Sequence, residues 1–298
     1  MLTTMRTHRS RSGFSLAEVL VALVIMGVIG AAFTRLIVAQ SRFFTHEYGL
    51  RNARQVSRSS MNLLISDLRM VQDSGGVDSV SSDHRTVRVI IPFAYGLVCK
   101  TTGTQTVASL LPVDSSAVAM AKYGGYAVRS SSSGRYTYLT PSAPGGADSV
   151  QTYGTPTDCS GNGSGQAGIA PLTINGRVGR VVSVTPTSAG VAGAPLFLWQ
   201  KITYSFAASS AFPGMYGLYR SVRGNSEEIM APFDTSSKFK FYVPGQDTSQ
   251  TSPGSAPYPL VRGFDIVLNS LAPQSNPGQS PTKTQMVTAV FFQNRRGF

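Results

Sequence analysis

Gly13-Phe14-Ser15-Leu16-Ala17-Glu18 leads into Val19-Leu20-Val21-Ala22-Leu23-Val24-Ile25-Met26-Gly27-Val28-Ile29-Gly30-Ala31-Ala32-Phe33-Thr34. The run from Phe14 to Thr34 is about the length at which a helix crosses the hydrocarbon of a bilayer. One carboxylate, Glu18, stands inside it. A bare glutamate in hydrocarbon costs on the order of 2–3 kcal/mol or more, so such a group is read as functional by default. Arg6, Arg9 and Arg11 precede the run, and the small residue Gly13 marks the junction.

Three readings fit such a segment. A secretory signal has a shorter apolar core followed by a cleavage site, which Gly30 and Ala32 supply only loosely. A plain membrane anchor accounts for the apolar run and leaves Glu18 without a role. A class III signal is cut before the apolar segment, which then stays in the mature chain.

The third reading matches a known pattern. A basic leader, Gly13, Phe14-Ser15-Leu16-x-Glu18 and the apolar helix together resemble the type IV pilin N-terminus. The resemblance covers about the first 40 residues. It implies cleavage between Gly13 and Phe14 by a prepilin peptidase and N-methylation of Phe14. Glu18 lies four helical steps from Phe14, about 6 Å along the axis. In a stack of offset helices its carboxylate would meet the Phe14 amine of the neighbouring subunit. At about 4 Å and an effective dielectric near 20 that attraction is about 4 kcal/mol before desolvation, so it sets register more than stability. Many major pilins carry a proline where Arg35 stands here, which points away from the abundant fibre subunit.

The chain has 298 residues, 42% of them apolar, enough for one or two packed domains. Its net charge is +12, of which Arg6, Arg9 and Arg11 contribute three. Such a balance suits nucleic acid, anionic lipid or acidic polysaccharide, and equally the solubility of a secreted protein. Arg35, Arg42, Arg51 and Arg54 follow the apolar run, so the count of flanking cations does not fix orientation. Cys99 and Cys159 either pair as a disulfide or remain two buried thiols. Closing a loop of about 60 residues would stabilise by roughly 4 kcal/mol in the chain-entropy picture.

No proline occurs from Phe14 to Ile91. Leu50, Ala53, Val56, Ser60, Leu64, Leu68 and Val71 recur at spacings of three and four, an apolar-to-small stripe. Glu47 and Arg51 add an i, i+4 pair. The expectation is one continuous helix over residues 14–72, about 88 Å long, stopped by Asp73-Ser74-Gly75-Gly76. Residues 14–38 form its transmembrane and oligomerisation half, after a leader of residues 1–13.

From residue 73 to 298 a β-rich head is expected. Thr86–Ile91, Arg180–Thr185, Leu196–Phe206, Gly217–Val222, Lys238–Val243, Leu260–Leu268 and Met286–Phe292 read as strands. Ile202–Phe206 and Leu218–Val222 look like an antiparallel hairpin. Residues 130–170, 245–259 and 272–284 are rich in Ser, Gly, Pro and Thr and read as loops. The fold class is therefore α+β, a long N-terminal helix packed on a C-terminal antiparallel β-rich head.

The order of the later segments has its own family look. Arg51-Asn52-Ala53-Arg54, Ser66-Asp67-Leu68-Arg69, Ile202-Thr203-Tyr204, Gly217-Leu218-Tyr219-Arg220, Lys238-Phe239-Lys240-Phe241-Tyr242 and Gln293-Asn294-Arg295-Arg296 are similar to minor pilins of the PilW/J type. That resemblance implies a minor pilin or pseudopilin that initiates or primes a type IV pilus, with other minor and major pilins as partners. It also implies a single pass through the inner membrane, a periplasmic head, and later assembly at the cell surface. Tip subunits of the K type characteristically lack the glutamate, so Glu18 implies a place below such a tip.

Little in the chain suggests chemistry. Gly163-x-Gly165-x-x-Gly168 follows no strand and meets Pro171 instead of opening a helix, so it is no dinucleotide site. His8, His46 and His84 are scattered, and Asp73, Asp78 and Asp83 lack the alternating spacing of a calcium loop. Glu227 and Glu228 are adjacent and point to opposite faces of an extended strand. No cofactor, no metal and no enzymatic activity are expected. Arg51, Arg54 and Arg58 make a basic i, i+3, i+7 stripe, either a solvated face or a site for DNA phosphates or lipid headgroups. Type II secretion and DNA uptake are the alternative settings for the same architecture.

Overall fold

The computed structural model describes residues 15–72, 75–103, 105–141, 159, 167–185, 190–254, 258, 260–272 and 281–292. Helix α1 (Leu16–Leu68) runs for 53 residues, about 80 Å. Leu, Ala, Met and Arg favour it, and no proline interrupts it. It ends four residues before the expected Gln72. Met70 N donates to Asp67 O at 3.1 Å and Val71 N to Leu68 O at 3.3 Å, a tightened last turn. The early exit lets Val71 and Gln72 turn onto the sheet, where both are buried. Asp73 and Ser74 of the stop signal lie outside the described residues. Gly75, at φ 116°, suits the reversal that follows. At Gly76 a Cβ would overlap the Gln72 carbonyl.

The head is a twelve-stranded sheet whose pairings are all antiparallel. Its two long central strands are β2 (Thr86–Thr101) and β9 (Pro195–Ala208), in register from Thr86↔Ser205 to Leu97↔Pro195. Each changes its outer partner halfway. Along their lower halves β1 (Val77–Val80) pairs with β2, and β10 (Tyr216–Val222) with β9. Along their upper halves β3 (Thr106–Leu110) pairs with β2, and β4 (Gly125–Arg129) with β9.

The upper storey is completed by β5 (Tyr136–Leu139) on β4 and β8 (Val181–Val184) on β3. A short helix, α2 (Ala117–Met120), adds Val118 to its core. The small hairpin β6 (Thr173–Ile174) and β7 (Arg177–Val178) stands apart. The lower storey continues through β11 (Asn225–Phe233), β12 (Lys238–Tyr242), β13 (Gly263–Leu271) and β14 (Lys283–Phe291).

Alternation along β9 builds the two cores. Leu196 and Leu198 face the upper core, and Ile202, Tyr204 and Phe206 the lower one. Helix α1 closes only the lower core, burying Ala53, Val56, Met61, Leu64 and Leu68. Leu64 and Leu68 are fully buried, each worth about 1.5–3 kcal/mol. Gly49, with no side chain, is buried where Leu50 is only half-buried, so the seam begins at the smaller residue. Glu47 and Arg51 do not close their expected ion pair, and both rest on a helix that packing already holds.

Several strands depart from the expected bounds. Strand β2 continues through Pro92, where a register shift between Pro92 and Ala94 absorbs the missing N–H. Strand β5 forms inside the 130–170 stretch read as loop, and β3, β4 and β11 form where no strand was expected. The β9–β10 hairpin pairs Leu218 with Phe206 and Val222 with Ile202.

Candidate assembly surface on the N-terminal helix

Ser15 caps α1 from an extended conformation, φ −73° and ψ 147°. Its Oγ accepts from Glu18 N at 3.3 Å, while Ser15 N donates to Glu18 Oε2 at 3.1 Å. This is a capping box, two otherwise unpaired donors satisfied reciprocally. The spacing Ser15-x-x-Glu18 is the sequence signal of such a box, and it gives Glu18 a role besides that of a charge in an apolar run. Glu18 thus has a partner within its own chain. Gly13 and Phe14, the expected cleavage pair, lie outside the described residues.

Beyond the cap, every residue from Leu16 to Phe44 is exposed. Leu20, Leu23, Val24, Met26, Val28, Phe33 and Phe44 are all more than half exposed. The unbroken apolar cylinder from Val19 to Phe33 is too large to be left bare in water. It is long and apolar enough to cross a membrane, and it lies near the N-terminus.

The other half of α1 is locked down. Ser57 Oγ donates to Ser270 Oγ at 2.8 Å, and Ser270 Oγ donates to the Ala53 carbonyl at 2.7 Å, all in the buried seam. Lower down, His46 Nδ1 lies 3.1 Å from Thr282 Oγ1. At the top of the helix Tyr204 donates to Asp67, and Arg220 Nε lies 3.3 Å from the same carboxylate oxygen. Burial pushes the Tyr204 hydroxyl far above its ordinary range, and the neighbouring Asp67 charge adds to it. Segments quoted separately in the sequence, around Asp67, Tyr204 and Arg220, therefore meet at one point.

Arg51, Arg54 and Arg58 are exposed on the side of α1 away from the seam, so they face outward together. Cys99 and Cys159 are joined as a disulfide with Cα atoms 5.5 Å apart. Asp78 pairs with Arg88 at 2.5 Å and Lys201 at 3.0 Å, while Asp83 accepts from Ser81. Those partners occupy the two carboxylates. Among the described residues no group of three or more His, Cys, Asp or Glu side chains is placed to hold a metal. Glu228 accepts from Ser209, Ser210 and Tyr219, tying down the β9–β10 turn while Glu227 does not join it.

The family model for the prokaryotic N-terminal methylation motif matches residues 8–34. Neither a curated protein nor a solved structure matches the chain. The motif implies processing by a prepilin peptidase and assembly with other pilins. An apolar N-terminal helix running into a large antiparallel sheet is the arrangement that goes with it. The chain carries the N-terminal methylation motif typical of type IV pilin and prepilin-like proteins.

Proposed function

We propose that this chain is a minor pilin, a structural and non-enzymatic subunit that primes assembly of a type IV pilus. The observation that carries the reading is the division of α1: an exposed apolar half from Leu16 to Phe44, and a half fixed to the head from Gly49 onward. A subunit so built waits in the inner membrane with its head in the periplasm. It then exchanges lipid for the helices of other minor and major pilins. Cleavage after Gly13 leaves Phe14 at the new terminus, one residue from Ser15 and its capping box.

The test is mass spectrometry of the chain recovered from membranes and from sheared fibres. A mature form beginning at a methylated Phe14, present in few copies per fibre, is the expected result. A chain still beginning at Met1, or starting beyond Ala32, would remove the reading.

A second reading is a DNA-uptake pilus, favoured by the outward stripe of Arg51, Arg54 and Arg58. Type II secretion is the third setting for the same architecture. Loss of secretion against loss of piliation in a deletion strain separates it from the first.

A further inference from the structure

Arg35, Arg42 and His46 lie on one side of α1, because steps of seven and eleven residues return to nearly the same angle. Further along, that same side becomes the buried seam at Gly49 and Ala53. Below the point where the head packs on it, that side of the helix is one wall of a crook between helix and sheet, and His46 is tied to the head. His46 closes the top of the crook through Thr282, 3.1 Å away on the approach to β14.

Membrane dimensions place this crook at a definite depth. About 20 residues of helix cross the hydrocarbon, and the headgroup layer adds 5–7 Å, roughly four or five residues. Counted from Leu16, the hydrocarbon ends near Leu36 and the headgroups near Ser41. Arg35 starts just below the boundary and its long side chain reaches upward. Arg42 starts just above the headgroups and reaches down. Both are exposed and about 10 Å apart along the axis, within reach of one headgroup layer for two long side chains.

The surrounding charges do not cancel them. Glu47 stands one step, about 100°, round the helix from His46. Lys283 and Asp234 at the lower rim are paired with each other at 3.0 Å. On the outer side Phe43 and Phe44 are exposed at 61% and 67%, apolar surface level with the boundary.

We infer that Arg35 and Arg42, on the helix below the His46–Thr282 join, bind the phosphate of an anionic phospholipid headgroup while the subunit waits in the membrane. The inference rests on the membrane-spanning reading of α1. A bound headgroup would hold the head close to the bilayer, and it would have to be given up when the helix leaves lipid for a fibre.

Full-length protein in nanodiscs of equal phosphatidylglycerol and phosphatidylcholine tests this, with retained lipid counted by native mass spectrometry. Retained phosphatidylglycerol should exceed phosphatidylcholine by about fivefold for each arginine engaged. Arg35→Gln with Arg42→Gln should lower the preference by about the product of the two factors, to what the other flanking arginines supply, and Arg42→Lys should keep most of it. Lys122→Gln with Arg177→Gln removes the same charge far from the membrane and should change nothing. Inorganic phosphate at millimolar concentration should not displace the lipid. Parity in the unaltered protein, a preference undiminished by loss of both arginines, or displacement by phosphate would each overturn the lipid site. Release of the unaltered chain from membranes by alkali would overturn the spanning reading, and this inference with it.

Discussion

Ser270 on β13 donates its hydroxyl to the main-chain carbonyl of Ala53 on α1 at 2.7 Å, in a seam where Ser270 has no solvent exposure. The same oxygen accepts from Ser57 at 2.8 Å. A helix carbonyl that already serves its own turn is thereby recruited by the sheet. Small residues on both sides allow the close approach. Ser270→Ala should leave the Ser57 hydroxyl without this buried partner and cost about 1–3 kcal/mol. Urea unfolding of the full chain in detergent measures it. Ser270→Val would cost more, since added methyls have no room beside Ala53.

Glu18 closes a capping box with Ser15. Ser15→Ala should weaken the first turn by about 1 kcal/mol and leave fibre incorporation largely intact. Glu18→Ala removes both the cap and the charge offered to a neighbour's terminus. That variant should still insert in the membrane and appear in sheared fibres at a small fraction of the usual level. Normal incorporation of Glu18→Ala would remove the intersubunit role.

Cys99 and Cys159 close a loop across a sequence separation of 60. Reduction, or Cys159→Ser, should destabilise the head by up to roughly 4 kcal/mol. The thermal midpoint with and without reductant reports the change. An unchanged midpoint would show that the bridge adds no stability.

Glu228 is pushed up by burial, but hydrogen bonds from Ser209, Ser210 and Tyr219 outweigh that and hold its carboxyl below the ordinary glutamate range. A depressed folded value gives stability present above the unfolded value and lost as pH falls through the folded one. Acid should therefore loosen the β9–β10 turn, and Glu228→Gln should flatten that part of the stability curve below about pH 4.5. Hydrogen exchange of the 209–216 amides across pH 3–6 is the measurement, and identical profiles for the two proteins would refute it.

Arg51, Arg54 and Arg58 present three cations on the outer side of α1. If they meet DNA phosphates, a gel shift of the full chain in detergent should weaken with salt. Replacing all three by glutamine should then lower the salt slope by about three. No salt-sensitive shift at micromolar protein would end the DNA-uptake reading.

The stem was legible because its signals agree: an unbroken apolar run, no proline, and a stripe from Leu50 to Val71 at helical spacing. The head was legible only where strands alternate strongly. Strand β11, Asn-Ser-Glu-Glu-Ile-Met-Ala-Pro-Phe, is polar at its start and carries Pro232, so neither pattern nor composition marks it. The expected strand stopped at Ile91, yet β2 passes Pro92 with a register shift and runs on to Thr101. The join of Asp67 to Tyr204 and Arg220 depends on tertiary placement that no local spacing encodes. The closing segment Gln293-Asn294-Arg295-Arg296 lies outside the described residues.

Because α1 closes the lower core, a pull directed along the stem enters the head through β13, β14, the serine seam and the join of Asp67 to Tyr204 and Arg220. Those strands would share the load as parallel fibres of a rope, while the upper storey hangs from β2 and β9 beside it. The disulfide belongs to that unloaded part. It would keep the distal surface in shape while lying off the direct path from the stem.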